Sequence, residues 1–139
     1  FERNLDALEG ATQYGPTMKW WEGFPDAWAA CRENTVPAAQ AMPEFLEWVK
    51  QLPNPPVIFV ANPISYDWVY MFHYLHTYTD YVHSINDKSP LYLCALDMRS
   101  YSSAVLGKSF RYCGKPSYPK SWKEHGLPHT HKAIDDAIE

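Results

Sequence analysis

A histidine and an aspartate near the end of the chain have the residue types and the spacing to share one site. The stretch from His131 to Ala137 reads HKAIDDA and sets His131 five residues ahead of Asp136, on a predicted loop that runs into a helix. Residues about one helical turn apart lie on the same side of a helix, so an imidazole and a carboxylate there can act together. The alternative is structural, because acidic residues are also favoured near the positive end of a helix dipole.

A second acidic stretch follows a predicted strand in the middle of the chain. Residues 57–61 form a continuous apolar run bounded by turn residues, which is typical of a strand buried on both faces. Asn62, Tyr66 and Asp67 come directly after it. A carboxylate where a strand gives way to a helix occupies the usual location of sites in α/β sheets. The alternative for Asp67 is a helix cap.

Aromatic residues supply candidates for contacts with a planar ligand. Trp20 and Trp21 are adjacent in a predicted N-terminal loop rich in Gly and Pro. Both rings cannot point inward from a regular element, so one is predicted to stack on a base or a sugar, unless both cover the core from the loop. From Lys108 to Pro128, basic and aromatic residues alternate, which suits a single-stranded nucleic acid or else an ordinary solvated loop.

The elements that must position these residues follow from hydrophobic periodicity and from Pro and Gly. The helix after Asn62 is predicted to turn Val69, Phe72, Leu75 and Tyr78 inward. The predicted elements form an α/β chain: a short helix near 5–8, a helical turn over 26–32, a helix over 37–51 that could instead start at Pro43, a strand over 57–61, a helix over 66–78, a strand over 91–96 that ends at Asp97, and a helix over 99–106 that Gly107 stops.

Composition limits the class of protein. A chain of 139 residues with 46% hydrophobic content has the size and the apolar content of one domain, predicted over residues 1–139. The net charge of −4 argues against a broad electrostatic grip on duplex nucleic acid, but an acidic site that binds divalent ions is compatible with it. Three scattered cysteines favour reduced thiols and a cytoplasmic location. No apolar run approaches the roughly twenty residues of a membrane span, so no membrane partner is predicted.

The two acidic stretches together resemble the third and second motifs of the DEDDh family of 3′ to 5′ exonucleases, which includes oligoribonuclease, ribonuclease T and polymerase proofreading subunits. The third motif of that family is His-x-Ala-x-x-Asp-Ala, and the stretch from His131 to Ala137 matches every fixed position. The second motif joins an Asn to an aromatic-Asp pair near a strand end. Asn62 with Tyr66 and Asp67 gives a looser match to it.

The resemblance implies a ribonuclease H-like mixed sheet flanked by helices and a hydrolase that acts with two Mg²⁺ or Mn²⁺ ions. By this resemblance Asp67 and Asp136 are metal ligands and His131 is the general base, with Asn62 and Tyr66 at the substrate. Hard cations prefer oxygen ligands, and imidazole exchanges protons near neutral pH. The implied reaction removes nucleoside 5′-monophosphates from the 3′ end of short or single-stranded RNA or DNA, with RNA favoured, and the implied assembly is a homodimer.

One departure from the family concerns its first motif, Asp-x-Glu, which supplies two further carboxylates and does not occur in the 139 residues. The chain is therefore expected to represent an incomplete domain that lacks the first strands. The alternative is a degenerate, non-catalytic member that binds single-stranded nucleic acid or a protein partner. A third hypothesis is a zinc protein that uses His125, His129 and His131.

Overall fold

The fold is mixed α/β, and the computed structural model describes residues 1–54, 56–81, 89–122 and 130–138. In the described residues, six α-helices accompany one small parallel sheet of two strands. The helices are α1 (Gly15–Trp21), α2 (Pro25–Ala30), α3 (Ala38–Lys50), α4 (Ile64–Tyr78), α5 (Met98–Leu106) and α6 (Ala133–Ile138), and the strands are β1 (Val60–Ala61) and β2 (Leu96–Asp97). None of these helices is long and apolar enough to cross a membrane.

Contacts divide the chain into two compact units. Unit 1 combines Phe1–Ala41 with Lys123–Glu139, and unit 2 is Met42–Trp122. The single domain expected over residues 1–139 stays a prediction.

The sheet of unit 2 is shorter and more exposed than the sequence predicts. β1 and β2 are parallel, with Val60 opposite Leu96 and Ala61 opposite Asp97, and an isolated bridge joins Val57 to Leu91. The prediction of a strand buried on both faces over 57–61 is wrong, because the exposed fractions are 54% for Ile58 and 47% for Val60. An apolar run of this length has no periodicity that distinguishes burial on one face from burial on two.

The core of unit 2 lies between α3, α4 and the residues of the bridge between Val57 and Leu91. Val49, Leu75, Tyr81 and Leu91 are buried and pack as one cluster. The Tyr81 hydroxyl donates a hydrogen bond of 3.0 Å to the Leu91 carbonyl, so this polar group has a partner in the core. The inward position predicted for Leu75 is confirmed. The position predicted for Val69 is wrong, because Val69 is exposed.

Local signals at the helix ends explain most of the helix bounds. α3 begins before Pro43, because the Pro37 carbonyl already accepts hydrogen bonds from the backbone N–H groups of Gln40 and Ala41. The start at Pro43 is therefore wrong. α5 ends as predicted at Gly107, which adopts the left-handed φ of 60° that glycine tolerates best.

Unit 1 differs from the sequence prediction at both of its N-terminal segments. The two tryptophans lie on α1, not in a loop, and Pro16 occupies the first turn of that helix, where its missing N–H costs nothing. Leu5 does not lie in a short helix but forms a bridge to Val36. The Asn4 side chain fixes this bridge, since its amide donates to the carbonyls of Ala30 and Glu33 at 2.8 Å each.

Candidate functional site

The parallel strands of unit 2 bring two polar residues to one edge of the sheet. Asp97 ends β2, and Asn62 comes directly after β1, whose last residue pairs with Asp97. Because the carboxyl ends of parallel strands meet at the same edge, the turn into α4 begins beside the Asp97 carboxylate. This edge is the location at which sequence reasoning expected a site.

The Asp97 carboxylate joins the beginnings of two helices. One oxygen accepts hydrogen bonds from the backbone N–H and the hydroxyl of Ser100, at 2.8 and 2.5 Å, and so caps α5. The other oxygen accepts from the backbone N–H of Ile64, the first residue of α4, at 3.3 Å. These hydrogen bonds, with the Ser100 hydroxyl as the largest cause, lower the pKa of Asp97 from its usual value. Asp97 therefore sets where α4 starts.

Asp67 lies in the first turn of α4, with its side chain exposed. It is not the residue that caps the helix, because the N-cap position belongs to Pro63, and the capping alternative is therefore wrong. The positive end of the α4 dipole favours a negative charge there. The neighbouring Tyr66 is 69% exposed, and Asn62 is half-buried in the turn before the helix. The carboxylate of Asp67 is thus open to a cation or a ligand from solvent.

In unit 1, His131 lies immediately before α6 in an unusual backbone conformation. Its φ is 59°, in the left-handed region that few residues other than glycine adopt. The neighbouring Thr130 side chain stabilises this turn, because its hydroxyl donates to the Asp135 carboxylate and accepts from the Lys132 backbone N–H at 3.3 Å. Asp135 therefore has a structural partner. Asp136 is the next residue of α6.

Aromatic rings surround the imidazole of His131. The centroid of the Phe24 ring lies 4.1 Å from that of His131, and the centroid of the Trp20 ring lies 5.1 Å from it, both in edge-to-face arrangements. Trp20 also contacts Trp21 edge-on at 4.8 Å. Trp20 is 47% exposed, whereas Trp21 is half-buried against Trp28. Of the two adjacent tryptophans, Trp20 is the ring that solvent and ligands can reach.

The site residues predicted from sequence fall into two sets. Unit 1 brings Trp20, Trp21 and His131 together through ring contacts, and α6 carries Asp136 in the same unit. Unit 2 contains the other set, Asn62, Tyr66 and Asp67, at the turn into α4. His125 and His129, the other members of the zinc hypothesis, lie outside the described residues.

The sequence prediction did not include two residues that contact or position these candidate sites, Phe24 and Asp97. The ring of Phe24 lies closer to His131 than the ring of Trp20 does, and a signal for it exists, since Trp20, Phe24 and Trp28 recur at intervals of four residues. Asp97 was recognised only as the end of a strand. Its position three residues ahead of Ser100, at the beginning of a helix, is the spacing of an N-cap.

The chemistry of the acidic side chains fits the hard divalent cations that the sequence resemblance implies. Asp67 and Asp136 provide carboxylate oxygens, the donors that Mg²⁺ and Mn²⁺ prefer. Among residues 1–54, 56–81, 89–122 and 130–138, no group of three or more His, Cys, Asp or Glu side chains could hold a metal ion. Asp67 is the one of the two whose side chain is described, and it is exposed.

The chain was compared with protein-family models, with curated proteins and with solved structures. None of these comparisons gives a match.

Proposed function

We propose that this chain is part of a metal-dependent 3′ to 5′ exonuclease that releases nucleoside 5′-monophosphates from single-stranded RNA or DNA, with RNA favoured. The observation that supports the proposal most is the environment of His131. The imidazole is held by Phe24 and Trp20 immediately ahead of the short helix that carries Asp136. A histidine in a strained backbone conformation, with its ring fixed by neighbours, suits a group that must meet a reacting atom.

Each candidate residue has a role in the proposed reaction. His131 takes the proton of the attacking water, and Asp67 and Asp136 are ligands of the divalent ions. When bound, two such ions lower the pKa of the attacking water and stabilise the leaving 3′ oxygen. The family that the chain resembles uses two further carboxylates, from an Asp-x-Glu motif that the 139 residues do not contain.

The remaining candidates contact the substrate in this proposal. The exposed ring of Trp20 is available to stack on a base, and Trp21 supports it from the half-buried side. Asn62 and Tyr66 flank the start of α4 beside Asp67 and are available to contact the terminal nucleotide. In unit 2, Asp97 positions these residues by fixing the first backbone N–H of α4.

The test uses the full-length product of the gene with a 5′-labelled oligoribonucleotide and Mn²⁺. We expect stepwise shortening from the 3′ end and release of nucleoside 5′-monophosphates, both abolished by EDTA. Asp136→Asn, Asp67→Asn and His131→Ala should each lower the rate by about 100-fold or more, as loss of a metal ligand or a general base does. Full activity in both Asp136→Asn and His131→Ala would refute the proposal.

The chain offers a matched control next to the proposed ligand. Asp135→Asn removes an acidic charge one residue from Asp136, but it keeps an oxygen that can accept the hydrogen bond from Thr130. We expect this variant to retain activity within about threefold, since it keeps the structural contact. A loss equal to that of Asp136→Asn would show that charge in this helix, and not a specific ligand, is what the reaction needs.

The second candidate function is a non-catalytic module that binds single-stranded nucleic acid or a protein partner. It is favoured by the lack of an Asp-x-Glu motif in the 139 residues and by the exposed rings on both units. Oligonucleotide binding by the full-length product, with no release of nucleotides in Mg²⁺ or Mn²⁺, would favour this candidate over the exonuclease.

A further inference from the structure

The charge of the chain is distributed unevenly. Residues 98–122 contain five basic side chains and no acidic one, whereas the other residues hold all 16 acidic side chains and 7 of the 12 basic ones. A positive segment within an acidic protein creates a local attraction for polyanions that the net charge of −4 conceals. The four basic residues at the end of this segment, Lys108, Arg111, Lys115 and Lys120, are all exposed.

The part of this segment that follows α5, residues 108–122, is folded against that helix. Its residues form three short 3₁₀ turns: Phe110–Tyr112, Lys115–Ser117 and Lys120–Trp122. Ser102 of α5 and Cys113 are completely buried, and their side chains share a hydrogen bond of 3.3 Å. The Ser102 hydroxyl also lies 3.3 Å from the Tyr118 hydroxyl. These contacts hold residues 108–122 in one arrangement on the helix.

The exposed side chains of residues 108–122 combine rings with cations. The exposed fractions are 53% for Phe110, 72% for Tyr112 and 40% for Trp122. The guanidinium of Arg99 lies over the Phe110 ring, 5.7 Å from its centroid, and this contact restrains one face of the ring. Large apolar rings are costly to expose to water, and here they are interspersed along the chain with Arg111, Lys115 and Lys120.

We propose that these six residues, Phe110, Arg111, Tyr112, Lys115, Lys120 and Trp122, form a binding surface for single-stranded nucleic acid, termed here the basic surface. The cations contact phosphates and the rings stack on bases. A duplex does not fit this chemistry as well, because its bases are stacked on one another and unavailable to exposed rings. The carboxylates of an acidic protein would pair with the cations, but carboxylates do not stack on exposed rings as bases do.

The inference rests on the proposed function only in assigning the bound strand as the one that is trimmed. The basic surface would then hold nucleotides upstream of the 3′ end. We therefore expect removal of its charges to slow the trimming of long substrates more than the trimming of substrates of two or three nucleotides.

The test measures binding without hydrolysis, by fluorescence anisotropy of a labelled oligouridylate in EDTA at several salt concentrations. The oligonucleotide has about 20 nucleotides, longer than one typical single-strand site. The triple variant Arg111→Gln, Lys115→Gln, Lys120→Gln should bind about tenfold more weakly or worse, and its salt dependence should fall by about 2 in log–log slope, since each phosphate contact contributes roughly 0.7. The matched control is Lys50→Gln, an exposed lysine on α3 of the same unit, which should bind as the unchanged protein does.

The rings are tested separately from the charges. Tyr112→Ala should weaken binding about fivefold or more with an unchanged salt slope, and Tyr112→Phe, which keeps the ring, should not. Tyr14→Ala is the control, because Tyr14 is 71% exposed and Tyr112 is 72% exposed. Thermal unfolding of each variant checks that the fold is retained, as expected for exposed positions.

Two results would overturn the inference. One is a triple variant that keeps the affinity and the salt slope of the unchanged protein. The other is polyglutamate competing as well as oligouridylate while Tyr112→Ala binds normally, which would identify a surface for acidic proteins. Because binding is measured in EDTA, an inactive protein that binds through the basic surface refutes the proposed exonuclease and leaves this inference standing. An active enzyme whose triple variant binds normally refutes this inference and leaves the proposed exonuclease standing.

Discussion

The two units of the chain hold their candidate site residues by different kinds of interaction. In unit 1, the imidazole of His131 is contacted by the rings of Phe24 and Trp20. In unit 2, the Asp97 carboxylate fixes the start of α4 through hydrogen bonds to backbone N–H groups. Ring contacts tolerate changes in angle and distance, whereas hydrogen bonds weaken steeply when their geometry changes. The imidazole of His131 is thus held by packing between rings, and the strand edge at Asp97 is held by hydrogen bonds that depend on their direction.

The two units also differ in the size of the side chains that their interiors bury. Unit 2 has a cluster of large buried side chains, with Leu75 completely buried at its centre. Among the described residues of unit 1, the buried apolar side chains are Ala27 and Ala41, and the large rings are half-buried or exposed. Single substitutions should therefore damage unit 2 severely, while in unit 1 their effects should be spread over several rings.

The largest effect is expected for Leu75→Ala in the core of unit 2. The substitution leaves a cavity among Val49, Tyr81 and Leu91 and should lower the free energy of unfolding by about 2 to 5 kcal/mol. Urea unfolding, monitored by hydrogen exchange of the α4 amides, measures this loss of stability. Val69→Ala on the same helix is the control, and as an exposed position it should change stability by less than about 0.5 kcal/mol. Equal effects in the two variants would show that the Leu75 cluster is not a packed core, and the contrast in packing between the two units would then be wrong.

An intermediate effect is expected for Asp97→Ala, which removes the cap of α5 and the acceptor for the Ile64 N–H. The loss should be about 1 to 2 kcal/mol at neutral pH, the upper part of the range for one helix cap. Asp97→Asn should cost less, since asparagine also caps helices. If Asp97→Ala were as stable as the unchanged protein, the hydrogen bonds at the strand ends would not be what holds this edge.

The Asp97 carboxylate should also make the stability of the folded protein depend on pH. The pKa of Asp97 is lower in the folded protein than its usual value, chiefly because Ser100 donates to the charged form. The folded state therefore binds fewer protons than the unfolded state, and this stabilisation is present above the usual carboxyl pKa and is lost as the pH falls through the lowered value. The stability difference between the unchanged protein and Asp97→Asn should accordingly be largest near neutral pH and shrink in acid. A difference that stays constant across that range would contradict this account.

The smallest effect is expected for Phe24→Leu in unit 1. Leucine keeps the apolar bulk but removes the edge-to-face contact with His131, a change of about 1 kcal/mol or less. The NMR signals of the imidazole protons should shift markedly, because the Phe24 ring, whose centroid lies 4.1 Å away, is lost. Tyr14→Leu, at an exposed ring of the same unit, should leave those signals in place. Unshifted imidazole signals in Phe24→Leu would mean that ring contacts do not position the proposed base.

Helices were predicted better than strands because their signals are local. Gly107 ends α5 through its own φ, and the apolar spacing that places Leu75 inward can be read within one turn. The exposure of Val60 depends on what covers the sheet, and that depends on residues distant in sequence. For the same reason the run from 57 to 61 was assigned two buried faces when one face is open.

For the candidate site, sequence reasoning selects candidate groups by residue type and misses what surrounds them. His131 and Asp67 stand out by residue type and by the neighbouring motif positions. The contact of Phe24 with His131 joins residues more than a hundred positions apart, and no spacing rule reaches that far. Whether the sheet is ribonuclease H-like stays a prediction.

The parallel pairing of β1 and β2 also has a consequence for the order of folding. The partner of Val60 lies 36 residues later in the chain, so the pair forms only after a long loop has closed, at an entropic cost that a helix such as α4 does not bear. The hydrogen bond from Ile64 to Asp97 depends on the same closure. We therefore expect the edge that carries Asn62, and the turn from it to Asp67, to form late in folding, and an event that separates the two strands should displace these candidate residues together with the sheet.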